Sequence, residues 1–179
     1  FPEEKQRIGW RGSELVSDGD TVIFDVGTTV MEVARHVIRH KNITVVTNAL
    51  NVATLMENYP EIDVIVTGGR LRATQHSLVN PYATLILERI YADVAFIGAS
   101  GIEAQYGVTN VNIAEAEMKI AFLKSSRRRI LVADSSKIGN VARAKVGKLD
   151  DFHLLITDNQ ADPEQIRLIE EAGLPVELV

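Results

Sequence analysis

Residues 21–29 have the sequence Thr21-Val22-Ile23-Phe24-Asp25-Val26-Gly27-Thr28-Thr29, a short apolar run that ends in a glycine-containing turn and leads into a segment with helical spacing. A strand that turns into a helix in this way directs free backbone N–H groups at one point, and the helix dipole makes that point attractive to an anion. Gly27 allows the tight turn, and the hydroxyls of Thr28 and Thr29 can donate to phosphate oxygens. These residues predict a phosphate cradle, with an ordinary helix N-cap as the alternative.

Further β-rich runs alternate with helical patterns along the rest of the chain. The strands that we predict cover residues 21–25, 43–47, 64–67, 94–98, 130–134, 154–157 and 176–179. Helical patterns fill most of the gaps between them, and the last pattern ends at Gly173. This alternation predicts an α/β fold with a mainly parallel, twisted, Rossmann-like sheet flanked by helices.

The first 18 residues differ in character from the rest. Residues 4–15 form a polar helical pattern that ends near Ser17-Asp18-Gly19-Asp20. We interpret residues 1–18 as a linker helix, leading from an upstream domain, together with the start of the domain. Residues 19–179 contain no internal repeat or linker, so we expect one compact ligand-binding domain overall.

Composition excludes several classes of function. The chain has 179 residues, 24 of them acidic and 19 basic, for a formal net charge of -5. Such an acidic chain lacks the basic surface of a domain that grips DNA directly, so we expect any DNA contact to come from elsewhere. The absence of cysteine excludes disulfides and Cys-based metal sites and favours a cytoplasmic location. We find no membrane segment, and we expect no cofactor.

Polar clusters follow each of the first five predicted strands, where the ligand of a parallel sheet is bound. These clusters are Asp25 to Thr29, Thr47-Asn48, Thr67-Gly68-Gly69-Arg70, Gly98-Ala99-Ser100-Gly101 and Asp134-Ser135-Ser136-Lys137. They are rich in hydroxyls, glycines and cations and poor in apolar groups. The set indicates a site for a small, polar, phosphorylated ligand.

These clusters, together with Phe96-Ile97 before the fourth cluster and Gly107-Val108-Thr109, resemble in order and spacing the C-terminal sensor domain of the DeoR family of bacterial transcriptional regulators. The resemblance implies a fold related to ribose-5-phosphate isomerase and the CoA transferases. It also implies a sugar-phosphate effector, a homo-oligomer (dimer or tetramer), and repression of carbohydrate metabolism genes. The family's N-terminal winged helix-turn-helix is absent from this chain, so DNA would be bound only through that domain.

The resemblance also implies roles for individual residues. It places the effector phosphate on Gly27, Thr28, Thr29 and Lys137, and it places Asn48, Gly68, Gly69, Ser100 and Lys119 at the sugar end. Asp25 would orient the turn or accept a hydrogen bond from a sugar hydroxyl. For Lys119 the alternative is a surface ion pair with Glu115, one helical turn away.

The rival interpretation is a sugar-phosphate isomerase, which needs a carboxylate base beside the bound carbon chain. Isomerase relatives carry Asp-Gly-Ala-Asp-Glu after the fourth strand, where this chain has Ile97-Gly98-Ala99-Ser100-Gly101. The loss of three acidic positions favours a domain that binds without catalysis. Glu115 and Glu117 remain near the position of such a base. A ligand-free oligomerisation module would leave the strand-end glycines and hydroxyls unexplained.

Three further features receive structural interpretations. Asn80 stands where the family usually has glycine before proline, so we expect its side chain at the pocket rim or at a helix start. His36 and His40 have a spacing that can bind zinc, but without a third ligand we interpret them as a solvated helix face. We place Arg127-Arg128-Arg129 at a helix end, where cations complement the dipole.

Overall fold

The computed structural model describes residues 1–179, and its centre is a seven-stranded sheet in which every pair of neighbouring strands is parallel. The strands are β1 (Thr21–Phe24), β2 (Thr44–Thr47), β3 (Asp63–Val66), β6 (Ala92–Ile97), β9 (Ser126–Val132), β11 (Leu154–Thr157) and β12 (Val176–Leu178). Their spatial order is β12-β11-β9-β6-β1-β2-β3. All seven strands predicted from the sequence are present, and the α/β prediction is confirmed.

Five further strands of three or four residues, which the sequence did not reveal, form two antiparallel sheets. β4 (Arg70–Arg72) and β5 (Ser77–Val79) make a hairpin, and β7 (Gly101–Glu103), β8 (Gly107–Asn110) and β10 (Ala144–Gly147) form a three-stranded sheet. Both additions follow carboxyl ends of the parallel strands, the hairpin after β3 and the small sheet after β6. They therefore build up the walls of that end of the domain.

Helices cover both faces of the large sheet. They are α1 (Pro2–Ser13), α2 (Thr28–Val37), α3 (Leu50–Met56), α4 (Ile113–Lys124) and α5 (Pro163–Glu171). Buried side chains of α1, α2 and α3 contribute to one core of 21 residues, and those of α4 and α5 contribute to a second core of 22 residues. None of these helices combines the length and the apolarity that crossing a membrane would require.

The central strands are apolar because both of their faces are buried. In β1, Val22 and Phe24 belong to the core under α1 and α2, while Ile23 belongs to the opposite core. Phe24 stacks on Phe96 of the neighbouring strand, with 5.7 Å between ring centroids. This alternation explains why the strands are continuous apolar runs, as expected for a covered parallel sheet.

Two interpretations of charged and titratable residues were wrong. The triple-arginine segment lies inside β9, where Arg128 pairs with Val94 and Arg129 with Ala95, because pairing with β6 extends the strand back to Ser126. The histidines are not on a solvated helix face. His36 packs edge-on against Trp10, and His40 lies beyond the end of α2, where its Nε2 is 2.9 Å from the Ser13 carbonyl.

Candidate functional site

The carboxyl ends of the three neighbouring strands β1, β6 and β9 converge on a cavity of about 240 Å³. The segments after these strands form its base, and α4, α1 and the β4–β5 hairpin contribute its walls. It is lined by Lys5, Val26, Gly27, Thr28, Thr29, Val30, Gln75, Gly98, Ala99, Ser100, Asn110, Glu115, Lys119, Val132, Ala133, Asp134 and Lys137. Six of the predicted site residues are thus brought together: Gly27, Thr28, Thr29, Ser100, Lys119 and Lys137.

The N-terminus of α2 borders this cavity without a side-chain cap. Gly27 is the N-cap residue, and its φ of 126° is open to glycine but unfavourable for other residues. The backbone N–H groups of Thr28, Thr29 and Val30 donate no hydrogen bond within the protein. By contrast, the side chains of Asn112 and Asp162 cap α4 and α5. The free donors of α2, at the positive end of its dipole, suit an anion.

Lys137 supplies an uncommitted positive charge to the same cavity. It ends a short 3₁₀ turn, Ser135–Lys137, in which Asp134 Oδ1 accepts from Ser136 N at 2.9 Å and Asp158 Oδ2 accepts from Ser135 N at 2.7 Å. The half-buried ammonium of Lys137 has no ion-pair or hydrogen-bond partner in the protein. A hydrogen-bonded turn therefore holds a free cation in the cavity that the N-terminus of α2 borders.

The base of the cavity is fixed by a buried ion pair between Asp25 and Lys119. Asp25 is fully buried, and its Oδ2 accepts from the Gly98 backbone N–H at 3.0 Å and from Lys119 Nζ. Lys119 also donates to the Gly98 carbonyl at 3.0 Å. Asp25 therefore orients the strand-end turns, and it is not among the residues that line the cavity. The alternative pairing of Lys119 with Glu115 is not formed.

Glu115 instead ties α4 to the β4–β5 hairpin. Its Oε2 accepts from Arg72 Nη1 at 3.0 Å and from Ser77 Oγ at 3.2 Å. The hairpin thereby places Gln75 at the cavity. Sequence reasoning missed Gln75 and Arg72 because the hairpin strands have only three residues each, too few to show a period.

Ser100 lines the cavity but uses its hydroxyl to hold the loop after β6. The hydroxyl donates to Asn110 Oδ1 at 3.1 Å and accepts from Val111 N at 2.9 Å. Asn110 is itself a lining residue, and its Nδ2 donates to the Asn112 carbonyl at 3.1 Å. This network positions the start of α4 and leaves Ser100 as a lining residue that is already hydrogen-bonded.

Three residues predicted at the sugar end, Asn48, Gly68 and Gly69, lie outside the cavity lining. Asn48 is fully buried, and its Nδ2 donates to the Leu78 carbonyl at 3.0 Å. Gly69 lies against Val79 and Ala83, so that a Cβ there would be 2.6 Å from the Val79 carbonyl oxygen. The reason is the β4–β5 hairpin, whose second strand occupies the space beyond the end of β2.

The Asn80 side chain lies away from this cavity as well. Its Oδ1 accepts from both the backbone N–H and the hydroxyl of Thr84 at 3.1 Å. Asn80 is thus at neither of the two places expected for it, because its side chain holds the turn that precedes the 3₁₀ helix Ile86–Arg89. Glu117 is also distant from the site, since it lines a separate surface cavity with Asn80.

Fold and site together define an α/β domain with a small, polar cavity at the carboxyl ends of a parallel sheet. The family model described as "DeoR C terminal sensor domain" matches residues 1–159. The chain therefore belongs to the DeoR family of transcriptional regulators.

Two relatives illustrate the similarity within the family. The chain is 37% identical over 174 residues to the HTH-type transcriptional regulator GlpR of Haloferax volcanii, covering 97% of this chain and 68% of that protein. It is 28% identical over 176 residues to the glycerol-3-phosphate regulon repressor of Escherichia coli, covering 98% of this chain and 70% of that protein.

Solved structures share the fold. The probable sor operon regulator of Shigella flexneri has a TM-score of 0.58 at 16% identity, with 96% of this chain and 88% of that one covered. Ribose 5-phosphate isomerase A of Methanocaldococcus jannaschii has a TM-score of 0.54 at 16% identity, with 76% of this chain covered. The match spans 54% of that isomerase.

Proposed function

We propose that the cavity binds the phosphate ester of a small sugar or polyol. The phosphate would accept hydrogen bonds from the free N–H groups and hydroxyls of Thr28 and Thr29, next to Gly27, and would pair with Lys137. The observation that carries this proposal is that the uncapped N-terminus of α2 and an unpaired lysine line one cavity. Free helix N–H groups and a cation form two halves of a phosphate site.

The size and lining of the cavity support a small polar ligand. Its volume of about 240 Å³ is below the range of about 300–1,000 Å³ for drug-sized ligands. Gln75, Asn110 and Glu115 offer amide and carboxylate groups to hydroxyls beyond the phosphate. The name of the Escherichia coli relative, a glycerol-3-phosphate regulon repressor, points to the same class of ligand.

The domain would report the ligand to an upstream DNA-binding domain, with residues 1–18 as the linker. Sensing requires only that the ligand bind two states of the regulator with different affinity, and a coupling of about 1–3 kcal/mol changes operator affinity roughly 5–150-fold. We further propose a cytoplasmic homo-oligomer, a dimer or tetramer, since symmetric regulators match the two half-sites of an operator. Light scattering coupled to size exclusion would measure the assembly.

The site is proposed to bind rather than to catalyse. Two carboxylates line the cavity, Glu115 and Asp134. Glu115 Oε2 accepts hydrogen bonds from Arg72 and Ser77, and Asp134 Oδ1 accepts from Ser136. A general base has to lie within hydrogen-bond reach of the proton that it abstracts, and these contacts instead tie both carboxylates to the protein. Incubation with ribose 5-phosphate should yield no ketose. Turnover that Glu115→Gln abolishes would show that the domain is an enzyme.

The experiment that tests the binding proposal is a thermal-shift panel of matched pairs. Glycerol 3-phosphate, ribose 5-phosphate and glucose 6-phosphate are each compared with the unphosphorylated parent. A ligand at a hundredfold over its Kd adds about 2.7 kcal/mol of stability, which for a domain of this size raises Tm by about 5–11 °C. We expect at least one phosphate to raise Tm and its parent not to. Equal shifts of Tm for the phosphate and its parent in every pair would show that the cavity is not a phosphate site.

A further inference from the structure

We propose that Lys5 of α1 is a further ligand for the effector phosphate, and that this contact couples the cavity to the linker helix. The inference rests on the proposed function of the cavity and adds the route by which its occupancy is sensed. Lys5 is the only residue of α1 that lines the cavity. Lys5 precedes Gly27 by 22 residues in the chain, so it reaches the cavity through tertiary packing.

The ammonium of Lys5 is close to the cavity and weakly committed. Its Nζ lies 3.9 Å from Asp134 Oδ2, beyond hydrogen-bond distance, and its side chain is 26% exposed. Asp134 is held in place without Lys5, because its other oxygen, Oδ1, accepts from the Ser136 backbone N–H at 2.9 Å and from the Ser136 hydroxyl. Lys5 can therefore exchange a long ion pair for a direct contact with a dianion.

The two halves of α1 are held very differently. Near its end, Arg11 forms a bidentate pair with Glu177 at 2.6 and 3.0 Å, and Arg39 Nη1 donates to Ser13 Oγ at 2.7 Å. All four buried residues of α1 lie between Ile8 and Ser13. The first turn has only the ion pair of Lys5 and one hydrogen bond, from Gln160 Nε2 to Glu4 Oε1 at 3.4 Å.

This asymmetry makes the first turn of α1 the part that a ligand can stabilise. A phosphate held by α2 and Lys137 would pull Lys5 inward and order that turn against the sheet. The same turn is the part of α1 farthest from the end that the ion pair between Arg11 and Glu177 holds in place. Effector binding would thus change the position and the order of the first turn of α1. This local change would have a distant effect through the linker.

The test compares the wild-type chain with Lys5→Gln and with the matched control Arg7→Gln. Arg7 lies on the same helix, is exposed, makes no ion pair and is not a lining residue. Affinity is measured by calorimetry for inorganic phosphate and for glycerol 3-phosphate, ribose 5-phosphate and glucose 6-phosphate. Amide hydrogen exchange of α1 is measured with and without the tightest-binding probe.

We expect the probe to slow exchange in the first two turns of α1 in the wild type and in Arg7→Gln. In Lys5→Gln the probe should still bind, roughly three- to tenfold more weakly, between the effects typical of an exposed ion pair and of a charge-assisted hydrogen bond. The slowing of exchange in α1 should then be lost. Unchanged affinity, or protection of α1 that persists in Lys5→Gln, would overturn the inference.

A double variant separates direct contact from simple neutralisation of Asp134. In Lys5→Gln/Asp134→Asn the carboxylate charge is gone, while the new amide oxygen can still accept from Ser136. Affinity and α1 protection should both stay low if Lys5 touches the phosphate, and their recovery would overturn the inference. Failure of every probe to bind the wild type would instead overturn the proposed function, whereas binding without α1 protection overturns only the coupling.

Discussion

Lys119 of α4 and Asp25 at the end of β1 form an ion pair in the interior, with the Gly98 backbone between them as a shared partner. The side chains are 3% and 0% exposed. The pair joins α4 to the two central strands and sets the base of the cavity. Two of the residues predicted to contact the sugar thus have a prior structural role.

Removing one member of this pair should be costly. We expect Lys119→Met to lower the free energy of unfolding by about 3–5 kcal/mol, since it leaves the Asp25 carboxylate buried without a counter-charge. The double variant Asp25→Asn/Lys119→Met should be more stable than Lys119→Met. Urea denaturation measures both. A double variant no more stable than the single one would show that the uncompensated charge is not the cause of the loss.

Lys137→Gln should weaken binding of the phosphate ester identified in the thermal-shift panel by about 1.5–3 kcal/mol, or roughly 10–150-fold in Kd, because a charge-assisted hydrogen bond is lost. Lys41→Gln is the control, since it removes the same charge from an exposed loop outside the cavity. Calorimetry compares the two variants. Equal affinities for Lys137→Gln and the control would place the phosphate elsewhere.

Replacing Gly68 or Gly69 by alanine should lower the free energy of unfolding by different amounts, although both glycines have positive φ. A Cβ at Gly69 (φ +111°) would be 2.6 Å from the Val79 carbonyl oxygen, whereas a Cβ at Gly68 (φ +79°) has nothing within 4 Å. We expect Gly68→Ala to cost about 1–2 kcal/mol, from backbone strain alone. Gly69→Ala should cost about 2–5 kcal/mol, because overpacking adds to that strain. Similar losses of unfolding free energy in urea would contradict the contact with the hairpin.

Stability should depend on pH through His153. Burial, and then the charges of Arg129 and Arg128, lower the pKa of His153 below 6.5, and its Nδ1 accepts from the Arg129 backbone N–H at 3.0 Å. The unfolded chain therefore binds this proton more readily than the folded one. The contribution of neutral His153 is complete above about pH 6.5 and is lost as the pH falls from there toward the lowered pKa.

The variant His153→Asn keeps an acceptor and removes the titration. Between pH 7.5 and 5.5, the Tm of the wild type should fall further than that of His153→Asn. The other three histidines are present in both proteins, so they cancel in the difference. Parallel pH profiles would mean that His153 protonates equally in the folded and unfolded chains.

The parallel sheet and the N-terminus of α2 could be predicted from the sequence because their signals are local. Residues 21–29 hold the apolar run, the glycine and the hydroxyls within nine positions. The short strands Arg70–Arg72 and Gly107–Asn110 could not be predicted in this way. Each has only three or four residues, some of them charged or polar, and therefore shows neither a hydrophobic period nor an apolar run. Their pairing is stabilised by neighbours distant in sequence.

The misplaced residues have the same explanation. Asn48 and Gly69 follow parallel strands as ligand-binding residues do, but the β4–β5 hairpin folds onto them and uses their polar groups and space. Lys5 was missed for the opposite reason. It reaches the cavity only because α1 packs on α2, where a Cβ at Gly9 would lie 2.6 Å from the Glu32 backbone.

The sequence by itself determined the fold class, the family resemblance and the strand-to-helix turn at Gly27 to Thr29, since each depends on residues adjacent in the chain. Only the tertiary structure decided which strand-end residues share the cavity, that Asp25 and Lys119 are partners, and that Lys5 lines the same cavity as Lys137. Those relationships are set by how helices and hairpins pack on the sheet, and packing depends on shape and contact between residues far apart in sequence.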